Sequence, residues 1–334
     1  MRAPELVCPA GTLPALRAAV EHGADAVYVG LRGATNARNF PGLNLTPREL
    51  ARGVEEAHAA GARVFLALNT YPGPDEWPEA VAAVDAAAEA GVDALIAADP
   101  GLLAHARARH PELALHLSVQ GSATHRRAIA FFHERLGVRR VVLPRVLSLS
   151  QVRRLVARLP VEVEVFAFGS LCVMVEGRCM LSSYVTGESP NRCGVCSPAR
   201  AVRWEEGPEG RSVRLNGVLV ERFAPGEAAG YPVLCKGRFR VGGQVYHAIE
   251  APTSLSVLDI LPELVRAGVA ALKVEGRQRS PAYVAQVTRV LREALDACLA
   301  DPEGFRPDPA WVAALDRVAE GATHTLGALD RPWM

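Results

Sequence analysis

Residues 22–30 read HGADAVYVG, in which Gly23 ends a helical segment just before a short apolar run. The same arrangement returns in AGARVFLALN at 60–69, AGVDALIAAD at 90–99, LGVRRVVLP at 136–144 and AGVAALKVEG at 267–276. Glycine just past a helix supplies the left-handed conformation that ends it. The apolar runs are continuous, which is typical of parallel strands buried on both faces. The repeated unit therefore predicts helices that alternate with parallel strands.

Three further apolar runs complete a set of eight strands: LVCPA at 6–10, LHLSVQ at 115–120 and VEVEVFAF at 161–168. Eight strands with helices between them predict an α/β fold, a (β/α)8 TIM-like barrel. Two helix starts support this interpretation. Thr46 to Glu49 and Ser148 to Gln151 both have the pattern of a capping box.

The regular alternation stops between about residues 172 and 252, where most of the seven cysteines lie. We interpret this stretch as a cysteine-bearing insertion between strands seven and eight. AVRWEE at 201–206 and SVRLNG at 212–217 resemble small antiparallel strands within it. The predicted parts are the first seven strands at 1–171, a cysteine-rich insertion at 172–252, the last barrel strand and helices at 253–300, and a tail at 301–334.

The composition restricts the class of protein. Hydrophobic residues make up 49% of the chain and the net charge is +1, so a large core is expected and a basic nucleic-acid footprint is not. No apolar stretch has the length of a membrane span, and the N-terminus lacks the pattern of a secretory signal. We therefore expect a cytoplasmic protein. Cysteines rarely form disulfides in that compartment, so clustered ones predict metal binding or catalysis.

Four cysteines are candidate metal ligands. Cys172 directly follows the seventh strand, and Cys179, Cys196 and Cys235 come later in the insertion. Four thiolates drawn from loops suit either Zn²⁺ or an iron–sulfur cluster. Structural zinc usually has two Cys-x-x-Cys pairs, whereas only Cys193 and Cys196 have that spacing here. The wide separations favour iron–sulfur modestly, and they leave Cys193 as an alternative ligand to Cys196.

The remaining cysteines and histidines have simpler interpretations. Cys8 ends the first strand and Cys298 lies in the last long helix, so both are predicted to be small core residues. Most histidines fall in or near outer helices, where a solvated position is expected. Only His125, which follows the fifth strand, remains a weak candidate for a site.

Active residues of such barrels lie at the C-terminal ends of the strands. The residues at or just after those ends are Cys8, Tyr28, Asn36, Arg38, Asn69, Asp99, Gln120, Arg145, Glu275 and Arg277. Arg38, Arg145 and Arg277 would together suit an anionic or dicarboxylate ligand, because guanidinium binds carboxylate through two hydrogen bonds. With Glu275, they are the candidate catalytic residues. The alternative is that individual arginines pair with Asp99 or Glu275 at the barrel rim.

Two longer motifs carry a resemblance to a known family. EVFAFGSLC at 164–172 and GRCMLS at 177–182 resemble the signature of the U32 "peptidase" family. The likeness extends over the whole chain through CPAG at 8–11, GADAVYVGL at 23–31, TNAR at 35–38, SYVTGESPN at 183–191, YPVLCKGR at 231–238 and KVEGRQRSPAYV at 273–284. These segments are most similar to the branch of the family in oxygen-independent ubiquinone biosynthesis.

The resemblance implies a [4Fe–4S] cluster held by Cys172, Cys179, Cys196 and Cys235. Cys193 stands where the family pattern has no cysteine. The implied activity is hydroxylation of the aromatic ring of ubiquinone precursors without O₂, with prephenate as oxygen donor. The implied partners are a UbiV-like paralogue, in a heterodimer, and a UbiT-like lipid-binding protein.

Three other functions remain as alternatives. Hydroxylation of an RNA nucleoside is one, since other U32 members resemble enzymes that modify tRNA and rRNA, although a nearly neutral chain argues against strong phosphate binding. Proteolysis needs a nucleophile beside a base, and no Cys–His pair stands out in the sequence. A scaffold that the metal only stabilises is the third.

Overall fold

A computed structural model describes residues 3–39, 41–172, 174, 179–193 and 195–331, without the side chains of Asn191 and Cys193. The strands are β1 Glu5–Pro9, β2 Ala26–Val29, β3 Arg63–Leu68, β4 Ala94–Ala97, β5 Ala114–Leu117, β6 Val138–Val142, β7 Glu162–Ser170, β8 Val202–Gly207, β9 Gly210–Leu215, β10 Val218–Phe223, β11 Phe239–Val241, β12 Gln244–Tyr246, β13 Ser254–Ser256, β14 Ala271–Val274 and β15 His324–Thr325. The helices are α1 Leu13–Glu21, α2 Pro47–Ala59, α3 Trp77–Glu89, α4 Pro100–Arg109, α5 Arg126–Leu136, α6 Leu149–Val156, α7 Met180–Thr186, α8 Pro190–Cys193, α9 Leu261–Ala267, α10 Pro281–Ala300 and α11 Pro309–Asp316.

Eight parallel strands form a closed barrel in the order β1-β2-β3-β4-β5-β6-β7-β14. Closure comes from β14, which pairs in parallel with β7 on one side and with β1 on the other. A helix separates each strand from the next, apart from the longer crossing between β7 and β14. The predicted (β/α)8 barrel is therefore confirmed, with all eight strands where the sequence placed them.

Helix boundaries follow the signals in the sequence. The glycines after the repeated helices, at positions 23, 61, 91, 137 and 268, all have the left-handed φ that the reversal requires. Both predicted capping boxes are present: the Thr46 side chain accepts from the Glu49 amide, and the Ser148 side chain accepts from the Gln151 amide. Local signals thus set where the barrel helices begin and end.

The insertion between β7 and β14 has a small core of its own. Strands β8, β9 and β10 form an antiparallel sheet, which confirms the two strands predicted at 201–206 and 212–217. Val213, Leu215, Val220 and Phe223 of this sheet are buried with Leu234. Strand β13 then pairs antiparallel with β7, and β15 from the C-terminal segment pairs with β13. The exact division at 172 and 253 stays a prediction.

Within the described residues, no helix combines the length and apolar character needed to cross a membrane.

Candidate active site at the barrel mouth

The four predicted cysteine ligands come from four separate stretches of the chain. Cys172 lies just after β7, and Cys179 is the residue before α7. Cys196 follows α8, and Cys235 lies in the short 3-10 helix Leu234–Lys236 of the insertion. All four side chains are half-buried. The cysteines therefore sit where the seventh barrel strand passes into the insertion.

Electrostatics show that the four thiols share one region. Burial raises the pKa of Cys196 to about 11, and Cys179 and Cys172 contribute in the same direction. Burial likewise raises the pKa of Cys235 to about 12, with further contributions from Cys196, Cys172 and Cys179. Cys196 and Cys235 are thus each close enough to the other three thiols for their charges to interact.

Two cations face the same thiols. Arg38 and Lys236 both act to lower the pKa of Cys196, against the effect of burial. Lys236 is itself buried and forms an ion pair with Glu320 from the C-terminal segment. Positive charge beside thiolates favours their deprotonated form, which is the form that binds metal.

The donor set consists of four thiols from separate loops. Among the described residues, no group of three or more His, Cys, Asp or Glu side chains is arranged to hold a single metal ion. Four thiolates are a donor set that fits an iron–sulfur cluster, in which each would bind a different iron. The side chain of Cys193, the alternative ligand, lies outside the described residues.

The three candidate arginines have different surroundings. The Arg277 side chain is 4% exposed, and its Nη1 atom has no hydrogen-bond partner in the described part of the chain. Arg38 donates from Nη1 to the carbonyl of Ala37 at 3.2 Å. Arg145 instead donates to the Ser170 carbonyl at 2.6 Å and stacks over the Phe166 ring. Arg145 thus fastens the end of β7.

Arg38 connects the barrel mouth with the cysteines. Its charge acts on Cys196, and it also acts on Arg277 and Tyr28. Burial lowers the pKa of Arg277 to about 10, and Tyr28, Arg38 and Glu275 are the charges that act on it. The predicted arginines Arg38 and Arg277 are therefore neighbours at one mouth.

The rim ion pairs considered as an alternative do not form in the described residues. Asp99 caps α4 by accepting from the Leu102 amide at 2.9 Å. Glu275 packs its Cβ against Gly169, and its carbonyl accepts from the Tyr283 hydroxyl. No ion pair joins either carboxylate to a candidate arginine within the same part of the chain.

The other strand-end residues have structural partners. Tyr28 donates to the Val274 carbonyl, Asn36 to the Leu31 carbonyl, and the Asn69 side chain accepts from the Ala37 amide. Gln120 is buried, and its backbone carbonyl accepts from the Tyr71 hydroxyl, whereas its side-chain Oε1 has no partner among the described residues. His125 accepts from the Ala128 amide as the cap of α5, which accounts for it without a site.

The two cysteines predicted to be core residues are buried as expected. Cys8 is fully buried against Thr288 of α10, and Cys298 lies buried in the same helix. Burial raises the pKa of the Cys8 thiol to about 12. Neither thiol is therefore available as an activated nucleophile.

Two polar residues near the site were not singled out from the sequence. Asn44 lies beside Arg277, adopts a φ of 72° and donates from Nδ2 to the Arg38 carbonyl. His116 is buried inside the barrel, with its ring edge against Phe65. A polar residue in the middle of an apolar strand, as in LHLS, was the available signal for His116.

The sequence of the chain is similar to those of known proteins over nearly its full length. The model of peptidase family U32 matches residues 11–330, nearly the full chain. The chain belongs to this family. A U32 relative, tRNA hydroxylation protein P1 of Bacillus subtilis (strain 168), is 33% identical over 96% of this chain and 70% of its own length. The tRNA hydroxylation protein P of Escherichia coli (strain K12) is 34% identical over 98% of this chain and 75% of its own.

A third U32 relative extends far beyond the region that it shares with this chain. The 23S rRNA 5-hydroxycytidine C2501 synthase of Escherichia coli (strain K12) is 31% identical over 88% of this chain, but over 40% of its own length. The predicted family membership is confirmed. The names of these relatives concern RNA, so assignment to the ubiquinone branch, the UbiU group, stays a prediction.

Proposed function

We propose that this U32 protein is the iron–sulfur subunit of an oxygen-independent hydroxylase acting on the aromatic ring of ubiquinone precursors. Hydroxylation is supported by the names of its relatives in the family, two of which concern tRNA and one rRNA. The observation that carries the proposal is the grouping of four cysteines beside Arg38 at the barrel mouth. A redox centre held there would lie at the end of the barrel where the active residues of such barrels are found.

The proposed ligands of a [4Fe–4S] cluster are Cys172, Cys179, Cys196 and Cys235. Hydroxylation without O₂ requires a redox centre or a Lewis acid. A bound cluster could serve as either. Arg38 and Lys236 offset the negative charge of the thiolates. A reducing compartment keeps cysteines reduced, so the cytoplasm is the proposed location.

The residues of the chain itself would bind and orient the oxygen donor. Prephenate, the proposed donor, carries two carboxylates, and Arg277 and Arg38 are neighbouring cations at the mouth. Arg145 is less suited to this role, because its guanidinium holds the Ser170 carbonyl and the Phe166 ring. We therefore narrow the predicted clamp from three arginines to Arg38 and Arg277.

The choice of a ubiquinone precursor rests on sequence motifs. SYVTGESPN at 183–191 and YPVLCKGR at 231–238 resemble the ubiquinone branch, and the second contains the proposed ligand Cys235. The net charge of +1 also gives little general attraction for phosphate backbones. The proposed partners are a UbiV-like paralogue and a UbiT-like lipid-binding protein.

Hydroxylation of tRNA is the second candidate. It is favoured by one observation, the relatives at 33% and 34% identity over nearly all of this chain that are named for that activity. Proteolysis is less well supported in spite of the family name. Cluster-bound cysteines cannot act as nucleophiles, and both Cys8 and Cys298 are buried.

One experiment compares the two hydroxylation candidates. Cells that lack the gene would be grown without O₂ and complemented with the wild type or with Cys196→Ala. Ubiquinone and hydroxylated tRNA nucleosides would then be measured in the same cultures. We expect the wild type, but not the variant, to restore ubiquinone. Restoration of the tRNA nucleoside alone would reject the ubiquinone proposal and establish the second candidate.

A further inference from the structure

Arg277 is the least compensated buried charge at the barrel mouth. Its side chain is 4% exposed, and Nη1 is buried without a partner among the described residues. No described carboxylate forms an ion pair with it, although Glu275 is within electrostatic range. A buried guanidinium without an acceptor is costly, so its presence here points to an anion that binds to it during function.

An unpartnered acceptor lies beside this unpartnered donor. Asn44 is 2% exposed, and its Oδ1 atom has no hydrogen-bond partner in the described structure. The orientation of the amide is fixed, because Nδ2 donates to the Arg38 carbonyl. Oδ1 therefore faces away from that bond and is available to accept a hydrogen bond.

Gly30 brings the two atoms together. A Cβ atom at position 30 would lie 2.3 Å from Arg277 Nη1 and 2.6 Å from Asn44 Oδ1. Both atoms thus pack against the same bare Cα, yet they do not form a hydrogen bond with each other. A similar close approach occurs at Gly11, where a Cβ would lie 2.1 Å from the Arg277 carbonyl oxygen. Two glycines therefore fix the position of the Arg277 segment.

We infer that Arg277 and Asn44 form a subsite for a hydroxycarboxylate, with Arg277 donating to its carboxylate and Asn44 accepting from its hydroxyl group. An isolated anion would satisfy Arg277 and leave Asn44 Oδ1 without a donor. A ligand with both groups satisfies both atoms. Since Nη1 is inaccessible to water here, neighbouring side chains must move when the ligand enters.

This inference rests on the proposed function insofar as it assigns the subsite to the oxygen donor. Prephenate has carboxylates and a hydroxyl group, which match the two unpartnered atoms. Arg277 and Asn44 would then be positioning residues that hold the donor at the mouth, near the region that Arg38 shares with Cys196. Binding of the oxygen donor can therefore be measured without the aromatic substrate and without turnover.

The test compares two probes that differ by one hydroxyl group, malate and succinate. Their affinities for the full chain, purified without O₂, would be measured by isothermal titration calorimetry. We expect malate to bind about 10-fold more tightly than succinate, as one added hydrogen bond to a buried acceptor implies. Prephenate should displace malate.

Two variants separate the two contacts. Arg277→Met should weaken both probes by about 100-fold, because the charged donor is lost. Asn44→Gly, in which glycine accepts the φ of 72°, should lower malate affinity to that of succinate and leave succinate unchanged. Arg17→Met is the matched control, since Arg17 pairs with Glu56 on the outer ring. Thermal unfolding of each variant checks that it is folded.

Three results would overturn the inference: no binding of either probe to the wild type, equal affinity for both probes, or unchanged binding in folded Arg277→Met. Failure of prephenate to displace malate would reject the assignment to the oxygen donor. Selective malate binding in a protein that restores no ubiquinone would instead reject the proposed function and retain the subsite.

Discussion

Lys273 Nζ donates to Glu164 Oε1 at 2.7 Å inside the barrel, where both side chains are almost completely buried. Arg140 reaches the other carboxylate oxygen of Glu164 at 3.3 Å and also pairs with Glu5 and Glu162. The barrel interior therefore contains a charged layer below the mouth. Each member depends on the others, because an isolated charge in such a place would be costly.

Removal of the Glu164 charge should destabilise the fold strongly. We expect Glu164→Gln to lower the free energy of unfolding by about 3–5 kcal/mol, since Lys273 and Arg140 then lose a buried counter-charge. Urea unfolding followed by circular dichroism measures the change. The surface variant Glu56→Gln is the control and should lower the free energy of unfolding far less, because solvent screens its ion pairs. Equal losses in the two variants would show that the buried layer is not essential.

The buried ring of His116 should make stability dependent on pH. Burial lowers its pKa well below the usual value, and Arg140, Lys273 and Arg63 act in the same direction. The folded ring stays neutral while the unfolded one gains a proton below a pH of about 6.5. Stability is therefore present above that pH and is lost as the pH falls through it, by up to about 1.4 kcal/mol per pH unit.

The variant His116→Gln isolates this contribution, because glutamine does not titrate. The free energy of unfolding of both proteins would be measured in urea at several pH values between about 7.5 and 5.5. This range spans the unfolded pKa of His. We expect the wild type to lose stability more steeply than the variant toward the acidic end. Parallel curves would show that the folded ring gains its proton over the same pH range as the unfolded one.

The cysteine ligands can be assigned by metal content. In anaerobically purified protein we expect about four irons per chain with matching sulfide. Alanine at Cys172, Cys179, Cys196 or Cys235 should reduce the iron and sulfide contents sharply. The control Cys298→Ala, at a buried position of α10, should leave both contents unchanged. One zinc per chain and no sulfide would contradict the cluster.

Cys193 needs a comparison of its own. If Cys196 is the ligand, Cys193→Ala should keep its iron and Cys196→Ala should lose it. Equal loss in the two variants would mean that both thiols belong to the site. Retention of iron in Cys196→Ala with loss in Cys193→Ala would exchange their roles.

The glycine at position 30 should be intolerant of even a methyl group. Gly30→Ala would place carbon 2.3 Å from Arg277 Nη1, so the arginine or Asn44 must shift. We expect a loss of about 1–3 kcal/mol in unfolding free energy, as in other overpacked sites. Gly73→Ala, where the nearest atom is 3.5 Å away, should change stability little. A neutral Gly30→Ala would show that this packing is loose.

The barrel could be predicted from local patterns of residues. Gly23 and its four counterparts, together with the caps at Thr46 and Ser148, act over a few residues, so local physical chemistry sets the ends of the helices. The continuous apolar strands then require burial on both faces, which a closed parallel barrel provides. The cysteines also stood out, because their residue type and clustering do not depend on the fold.

The contacts between polar residues could not be predicted, because they depend on how distant segments pack. Arg145 looked equivalent to Arg277 along the chain, yet it fastens the Ser170 carbonyl, whereas Arg277 is buried without a partner in the described part of the chain. Asn44 became relevant only through its place beside Arg277, reached from a different loop. Such pairings join atoms far apart in sequence, and distances of a few tenths of an ångström decide whether a hydrogen bond forms. No local pattern of residues contains that information.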